Sequence, residues 1–261
     1  MSKSKFSSGR KTLYGLFIVT LLWCILYFAV DSAAIPSPYK TLINFVEIFP
    51  GTLSRHLFVS LGRILWAISL SLIIGTALGI FIGVNSWAEE LISPTIYILY
   101  PLPKIAFLPI LMILFGLGNT PKILLIVFII VFQFILASRD GVKEIPKELI
   151  YSVNSLGLSK LQFYRHLIIP ALLPKIITSL RNSIGISISV LFFSENFATT
   201  YGIGYFIMNS FAMVNYVEMF SGIMALSLLG LILFKLIDIL EMKLCPWIKI
   251  SREHMVSGSE A

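Results

Sequence analysis

The sequence predicts an all-α, polytopic membrane protein with about six transmembrane helices, and three observations carry that prediction. Of its 261 residues, 57% are hydrophobic and only 13% charged, with a mean hydropathy of +0.91, which is too little polar surface to clothe a soluble globule. The apolar residues gather into six segments that meet or approach the roughly 20 residues a spanning helix needs. The basic residues behind the net charge of +7 lie mostly between those segments, where they orient a membrane protein.

In chain order the segments are 13–30, 57–84, 91–115, 121–137, 167–193 and 219–240. The first follows Lys3, Lys5, Arg10 and Lys11 and precedes Ser32-Ala33-Ala34, much as a secretory signal would. At about 18 apolar residues it is long for a signal core and reads as the first span. The third holds Pro94, Pro101, Pro103 and Pro109 with Lys104 at mid-depth; each proline removes a backbone donor, so this span is expected to be kinked or broken. The fourth opens with Asn119-Thr120 as a cap and Pro121 preset for the first helical position.

Lys and Arg counting sets the orientation. The N-terminal tail, the 139–166 loop (Arg139, Lys143, Lys147, Lys160, Arg165) and the C-terminal tail (Lys243, Lys249, Arg252) fall on one side; Lys40, Arg55 and Lys122 fall on the other. Both termini and the 139–166 loop are therefore expected in the cytoplasm. The linear organisation is a tail at 1–12, the first helix and an external loop at 13–55, a core at 56–240, and a tail at 241–261 whose end, 256–261, reads as disordered.

The 139–166 loop reads as structured. Pro146 opens a helix, Leu149, Val153 and Leu156 recur at helical spacing, and Gly157 ends it as a C-terminal cap. A second short helix follows through Lys160, Leu161, Phe163 and Tyr164, ending where Pro170 and Pro174 enter the fifth span.

Little supports catalysis. His56, His166 and His254 are scattered, and no HExxH, GxSxG or P-loop pattern is present. Cys24 and Cys245 lie near opposite ends without metal or redox spacing. No catalytic residue, metal or cofactor is expected. Nucleic acid is not an expected partner either, because no basic patch is interleaved with aromatics.

Charged residues inside spans are costly and therefore informative. They are Arg63, Lys104, Lys175, Arg181, Glu195, Lys235 and Asp238. Lys175 can snorkel to the cytoplasmic end, and Lys235 can pair with Asp238 three residues on. Arg63 can sit near a membrane end. Lys104 in its broken helix and Glu195 where the fifth span gives way are the candidates for a solute pathway, since irregular backbone at membrane depth needs protein or water beside it. The run Thr199-Thr200-Tyr201-Gly202-Ile203-Gly204-Tyr205 is either a tight external turn or a partly re-entrant gate.

In the cytoplasmic loop, Gly157 is followed thirteen residues later by Pro170, within Leu167-Ile168-Ile169-Pro170. This spacing resembles the hallmark loop of the type I permeases of ABC importers: EAA, three residues, Gly, nine residues, I-x-L-P. The first element departs, with Tyr151-Ser152-Val153 at the EAA positions and Glu148 out of register. The blocks Tyr100-Pro101-Leu102-Pro103-Lys104-Ile105-Ala106-Phe107-Leu108-Pro109, Phe115-Gly116-Leu117-Gly118 and Ser194-Glu195 with Tyr201-Gly202-Ile203-Gly204-Tyr205 are similar to the branch serving taurine, alkanesulfonates, nitrate and some vitamin precursors.

The resemblance implies an inner-membrane importer subunit forming the path for a small polar solute. It further implies two permease copies, here a homodimer, two copies of an ABC ATPase that hydrolyses the ATP, an extracytoplasmic solute-binding protein, and surrounding membrane lipid. Ser155, Leu156, Gly157 and Leu158 would couple to the ATPase, with Pro170 fixing the exit from the loop. The rival readings are a passive channel or membrane scaffold without an ATPase, and an intramembrane enzyme.

Overall fold

The computed structural model describes residues 8–247, with side chains from residue 12 onward. Lys3, Lys5, Lys249, Arg252, His254 and the 256–261 tail lie outside the described residues, as do the side chains of Arg10 and Lys11. Among the described residues every regular element is helical: α1 (Ser8–Val30), α2 (Pro38–Ile48), α3 (Ser54–Val84), α4 (Ser86–Leu99), α5 (Leu108–Phe115), α6 (Asn119–Lys143), α7 (Lys147–Ser155), α8 (Lys160–Phe163), α9 (Ile169–Glu195), α10 (Ile203–Ala212) and α11 (Tyr216–Leu244). Five helical stretches are long and apolar enough to cross a membrane, and a bent pair makes a sixth. The chain divides into two compact units, one of residues up to Val59 with Thr200–Ser227, the other of Ser60–Thr199 with residues from Leu228 on.

In the first unit α1 buries none of its spanning stretch. A helix that is apolar all round and uncovered by protein has its lipid-facing surface as its reason for being apolar. Trp23 ties it down, stacking on Phe220 at 5.4 Å between ring centroids and donating to the Pro36 carbonyl at 3.2 Å. Ser37 caps α2, accepting from the Lys40 N–H at 3.3 Å, and Pro38 occupies its first turn. The Ser221 hydroxyl on α11 lies 2.9 Å from Asn44 Oδ1 and 3.2 Å from the Thr41 carbonyl, joining α11 to α2. The glycine-rich run reads out as a turn leading into α10, a ten-residue apolar helix. Gly202, just before α10, hydrogen-bonds the buried His56 ring at 3.0 Å, with Tyr201, Tyr205 and Phe206 around it.

The second unit is built on close helix packing. On α3, Gly75, Gly79 and Gly83 recur every four residues and so share one face. A Cβ at Gly75 would stand 2.6 Å from Phe134 Cβ, one at Gly79 2.7 Å from Ser138 Cβ, and one at Gly83 2.8 Å from Val142 Cβ. The missing side chains let α3 lie against α6 along three turns, as small residues do where lipid supplies no hydrophobic drive between helices. α6 packs along α9. The proline-rich span is broken as expected: α4 meets the Lys104–Phe115 stretch, a 3-10 turn (Lys104–Phe107) running into α5, at 84° across residues 100–103. Lys122, a helix-edge residue in the charge count, is completely buried in the first turn of α6.

Candidate functional site

Two places in the second unit carry polar chemistry. One is the loop joining α6 to α9. Pro146 stands at the N-cap of α7, and Gly157 follows the C-cap Leu156 with φ +67°. That left-handed conformation suits glycine and costs other residues about 1–2 kcal/mol. The turn is closed by the Gly157 N–H donating to the Asn154 carbonyl at 3.1 Å. Ser159 then begins α8 with a full capping box: its hydroxyl accepts from the Gln162 N–H, and Gln162 Oε1 accepts from the Ser159 N–H at 2.9 Å.

The second short helix has no end of its own. α8 passes through a π-helical segment, Tyr164–Ile168, straight into α9. The wider turn accommodates Pro170, which has no N–H to give, in the first turn of α9. Ile150, Val153, Phe163 and Tyr164 pack inward on a cluster of Val142, Ile145, Leu167, Ile168 and Leu172. The opposite face is apolar and open: Leu149, Tyr151, Leu156 and Leu161 are all exposed, Leu161 by 78%. Of the expected coupling residues, Ser155, Leu156 and Gly157 are exposed on this turn, Leu158 is half-buried, and Pro170 lies beyond the loop.

The other place is a set of buried charges. Glu195, the last residue of α9, is fully buried and forms an ion pair with Arg63 Nη1 at 2.5 Å. The Ser60 hydroxyl donates to the same carboxylate at 2.7 Å. Arg63 turns its other edge to Asn119 Oδ1, at 2.9 Å from Nε and 2.7 Å from Nη2. One guanidinium thus joins α3, the start of α6 and the end of α9. Nearby in sequence, Lys122 Nζ donates to the carbonyls of Gly118 at 2.9 Å and Ala198 at 3.4 Å; Ala198 has φ +42°, strained for a residue with a Cβ.

Lys104 and Glu195, the two expected pathway residues, take different partners. Lys104 is 7% exposed; its ammonium donates to the Tyr100 carbonyl at 2.7 Å and lies 4.7 Å from the centroid of the Phe132 ring. It lines a cleft of about 350 Å3 with Tyr100, Leu102, Ile105, Ile129, Gln133 and Val190. A larger cleft of about 750 Å3 shares Tyr100 and Gln133 and continues past Ser179, Asn182, Thr178, Asp140, Glu144 and Lys175. Asp238 takes Arg181 as partner at 2.9 Å, and Lys175 pairs with Glu144.

Residues 75–246 match the family described as the binding-protein-dependent transport system inner membrane component. The chain is 30% identical over 237 residues to the taurine transport system permease protein of Escherichia coli (strain K12), covering 88% of this chain and 86% of that protein. It is 28% identical over 221 residues to a putative aliphatic sulfonates transport permease protein of Bacillus subtilis (strain 168), covering 84% of this chain and 79% of that one. Its fold is similar to a chain of an inward-facing structure of the MetNI methionine ABC transporter, with TM-score 0.64 at 17% identity over 74% of this chain and 95% of that chain.

Proposed function

The chain belongs to the family of binding-protein-dependent transport system inner membrane components and is a multi-pass permease subunit of an importer; from that premise we propose how it couples and what it carries. The 56–240 core forms the path for a small polar solute, of the sulfonate, taurine or nitrate kind or a vitamin precursor. The α7–α8 loop docks on an ABC ATPase, which supplies the hydrolysis. Ser155, Leu156, Gly157 and Leu158 form the contact, and Pro170 sets the exit of the chain into α9. Two permease copies, two ATPases and an extracytoplasmic binding protein complete the complex in the lipid bilayer, with both permease termini in the cytoplasm. Lys104 and Glu195 lie on the path, Glu195 held there by its buried ion pair with Arg63.

The observation that carries this reading is the apolar face of the loop. Leucines on a soluble-side helix are ordinarily covered, because each buried side chain is worth about 1.5–3 kcal/mol. Here a positive-φ glycine and a capping box hold three of them, with Tyr151, open, and apolar residues rimmed by polar ones mark a docking surface. The decisive experiment reconstitutes the permease in proteoliposomes with a partner ATPase and binding protein. Solute uptake that requires ATP and all three components is expected. Uptake that proceeds without ATP would establish the passive channel instead.

A further inference from the structure

The two clefts that share Tyr100 and Gln133 have, taken together, an uneven charge balance. Their carboxylates, Asp140 and Glu144, each have a cation: Arg139 lies 2.7 Å from Asp140, and Lys175 pairs with Glu144. Their buried cation, Lys104, has no carboxylate partner among the described residues. One of its three protons goes to the Tyr100 carbonyl, and the rest of the ammonium faces the Phe132 and Tyr100 rings. Such faces offset only part of what removing an ammonium from water costs without a counter-charge. Gln133, which lines both clefts, accepts from the Ser183 hydroxyl at 2.9 Å through its amide oxygen. What it presents to a ligand is therefore N–H. Glu195 does not offset Lys104, being fully buried against Arg63 and absent from the lining of either cleft.

We propose that Lys104 and Gln133, with Tyr100 at the rim, form an anion-binding subsite inside the permease, which holds the sulfonate, carboxylate or nitrate group of the solute during passage. This rests on the permease reading above and adds to it a discrete site and a charge preference that belong to this chain and not to the binding protein. An ammonium and an amide N–H that line one cleft suit an oxyanion. The apolar remainder, Leu102, Ile105, Ile129 and Val190, tolerates a short alkyl chain without holding it by hydrogen bonds.

Two measurements on the assembled transporter test it. In a background with Cys24→Ser and Cys245→Ser, Gln133→Cys is labelled with anionic and cationic methanethiosulfonates. The anionic reagent is expected to react faster, and adding Lys104→Gln should cut that preference about tenfold, as removal of one charge at short range does. Lys104→Arg should retain it. A preference unchanged by Lys104→Gln overturns the subsite.

The second measurement follows ATP-driven uptake of taurine, nitrate and ethanesulfonate. Lys104→Gln is expected to raise KM about tenfold for the imported anion, with Lys104→Arg close to the unsubstituted protein, because the charge is the shared property. Equal KM in Lys104→Gln overturns the proposal and leaves the permease reading standing. ATP-driven import of some other solute but of no anion does the same. Absence of any ATP-driven import strikes at the permease reading, while the labelling ratio still decides the subsite.

Discussion

The α6 and α9 pair carries opposite inversions of ordinary burial at its two ends. Where α6 starts and α9 finishes, charge is inside: Glu195 and Arg63 are buried and saturated with short hydrogen bonds. Where α6 finishes and α9 starts, grease is outside: Leu149, Tyr151, Leu156 and Leu161 stand exposed on a turn rigidified by its caps. The first end has closed on itself and has nothing left to offer a partner. The second, in the docking proposed above, is completed by the ATPase that covers it. A membrane helix pair can thus be locked at one end and recruited at the other, with no element shared between the two tasks except the helices themselves.

The largest expected effect comes from breaking the closed end. Glu195→Leu leaves the Arg63 guanidinium buried without its counter-charge, and losing one partner of a buried pair costs about 3–5 kcal/mol. Arg63→Met should be comparable, and the double variant should recover most of the loss, since two apolar side chains of similar volume fill the space without any charge to solvate. Midpoints of thermal unfolding for the purified permease in detergent decide this: both singles well below the parent, the double close to it. A double variant as unstable as the singles would show that Asn119 and Ser60 matter more than the ion pair.

Much of this was legible in the sequence, but unequally. Hydropathy located the spans, the four prolines located the break between α4 and α5, and Pro146, Gly157 and the Gly-to-Pro spacing located the loop. Those signals are local, since proline and glycine act on their own backbone. Pairing is not local. Nothing near Glu195 in sequence points to Arg63, 132 residues away, and Lys122 reads as an edge residue because its carbonyl partner at Ala198 comes from another part of the chain. Asp238 pairs with Arg181 across helices, a partner that nothing near it in sequence points to. The helices α2 and α10 escaped because neither is long enough to register as a span, although Ser37-Pro38 is a start signal in plain view. The three-glycine face of α3 also had a visible four-residue period, and only the partner helix explains it.

The open end responds differently, in binding before stability. Leu156→Glu removes an exposed apolar side chain from the middle of the turn. The isolated permease should unfold within about 0.5 kcal/mol of the parent, as surface changes usually do. Capture of the ATPase should weaken about tenfold or more, the loss of roughly 1.4 kcal/mol or greater that a central apolar contact supplies. Pull-down of the ATPase against a titration of its concentration reads the second quantity. Equal capture would place the docking surface elsewhere. Gly157→Val tests the turn itself: at φ +67° a β-branched residue is strained by about 1–2 kcal/mol, so ATP hydrolysis by the complex should fall while membrane insertion persists. Gly157→Asn should retain hydrolysis, because asparagine tolerates the left-handed region.

The smallest effect sharpens the comparison most finely. Ser159→Ala removes the hydroxyl half of the capping box and leaves the first N–H groups of α8 to water, a loss of about 1 kcal/mol at a typical N-cap. Because α8 continues through the π-helical segment into α9, that loss should appear as local opening near the turn and hardly at all in global unfolding. Amide hydrogen exchange is the appropriate readout: faster exchange at Leu161 to Phe163, with none at residues 183–195. If the whole of α9 loosened instead, the caps would be supporting the span as well as the turn, and the two ends of the helix pair would be energetically coupled through it.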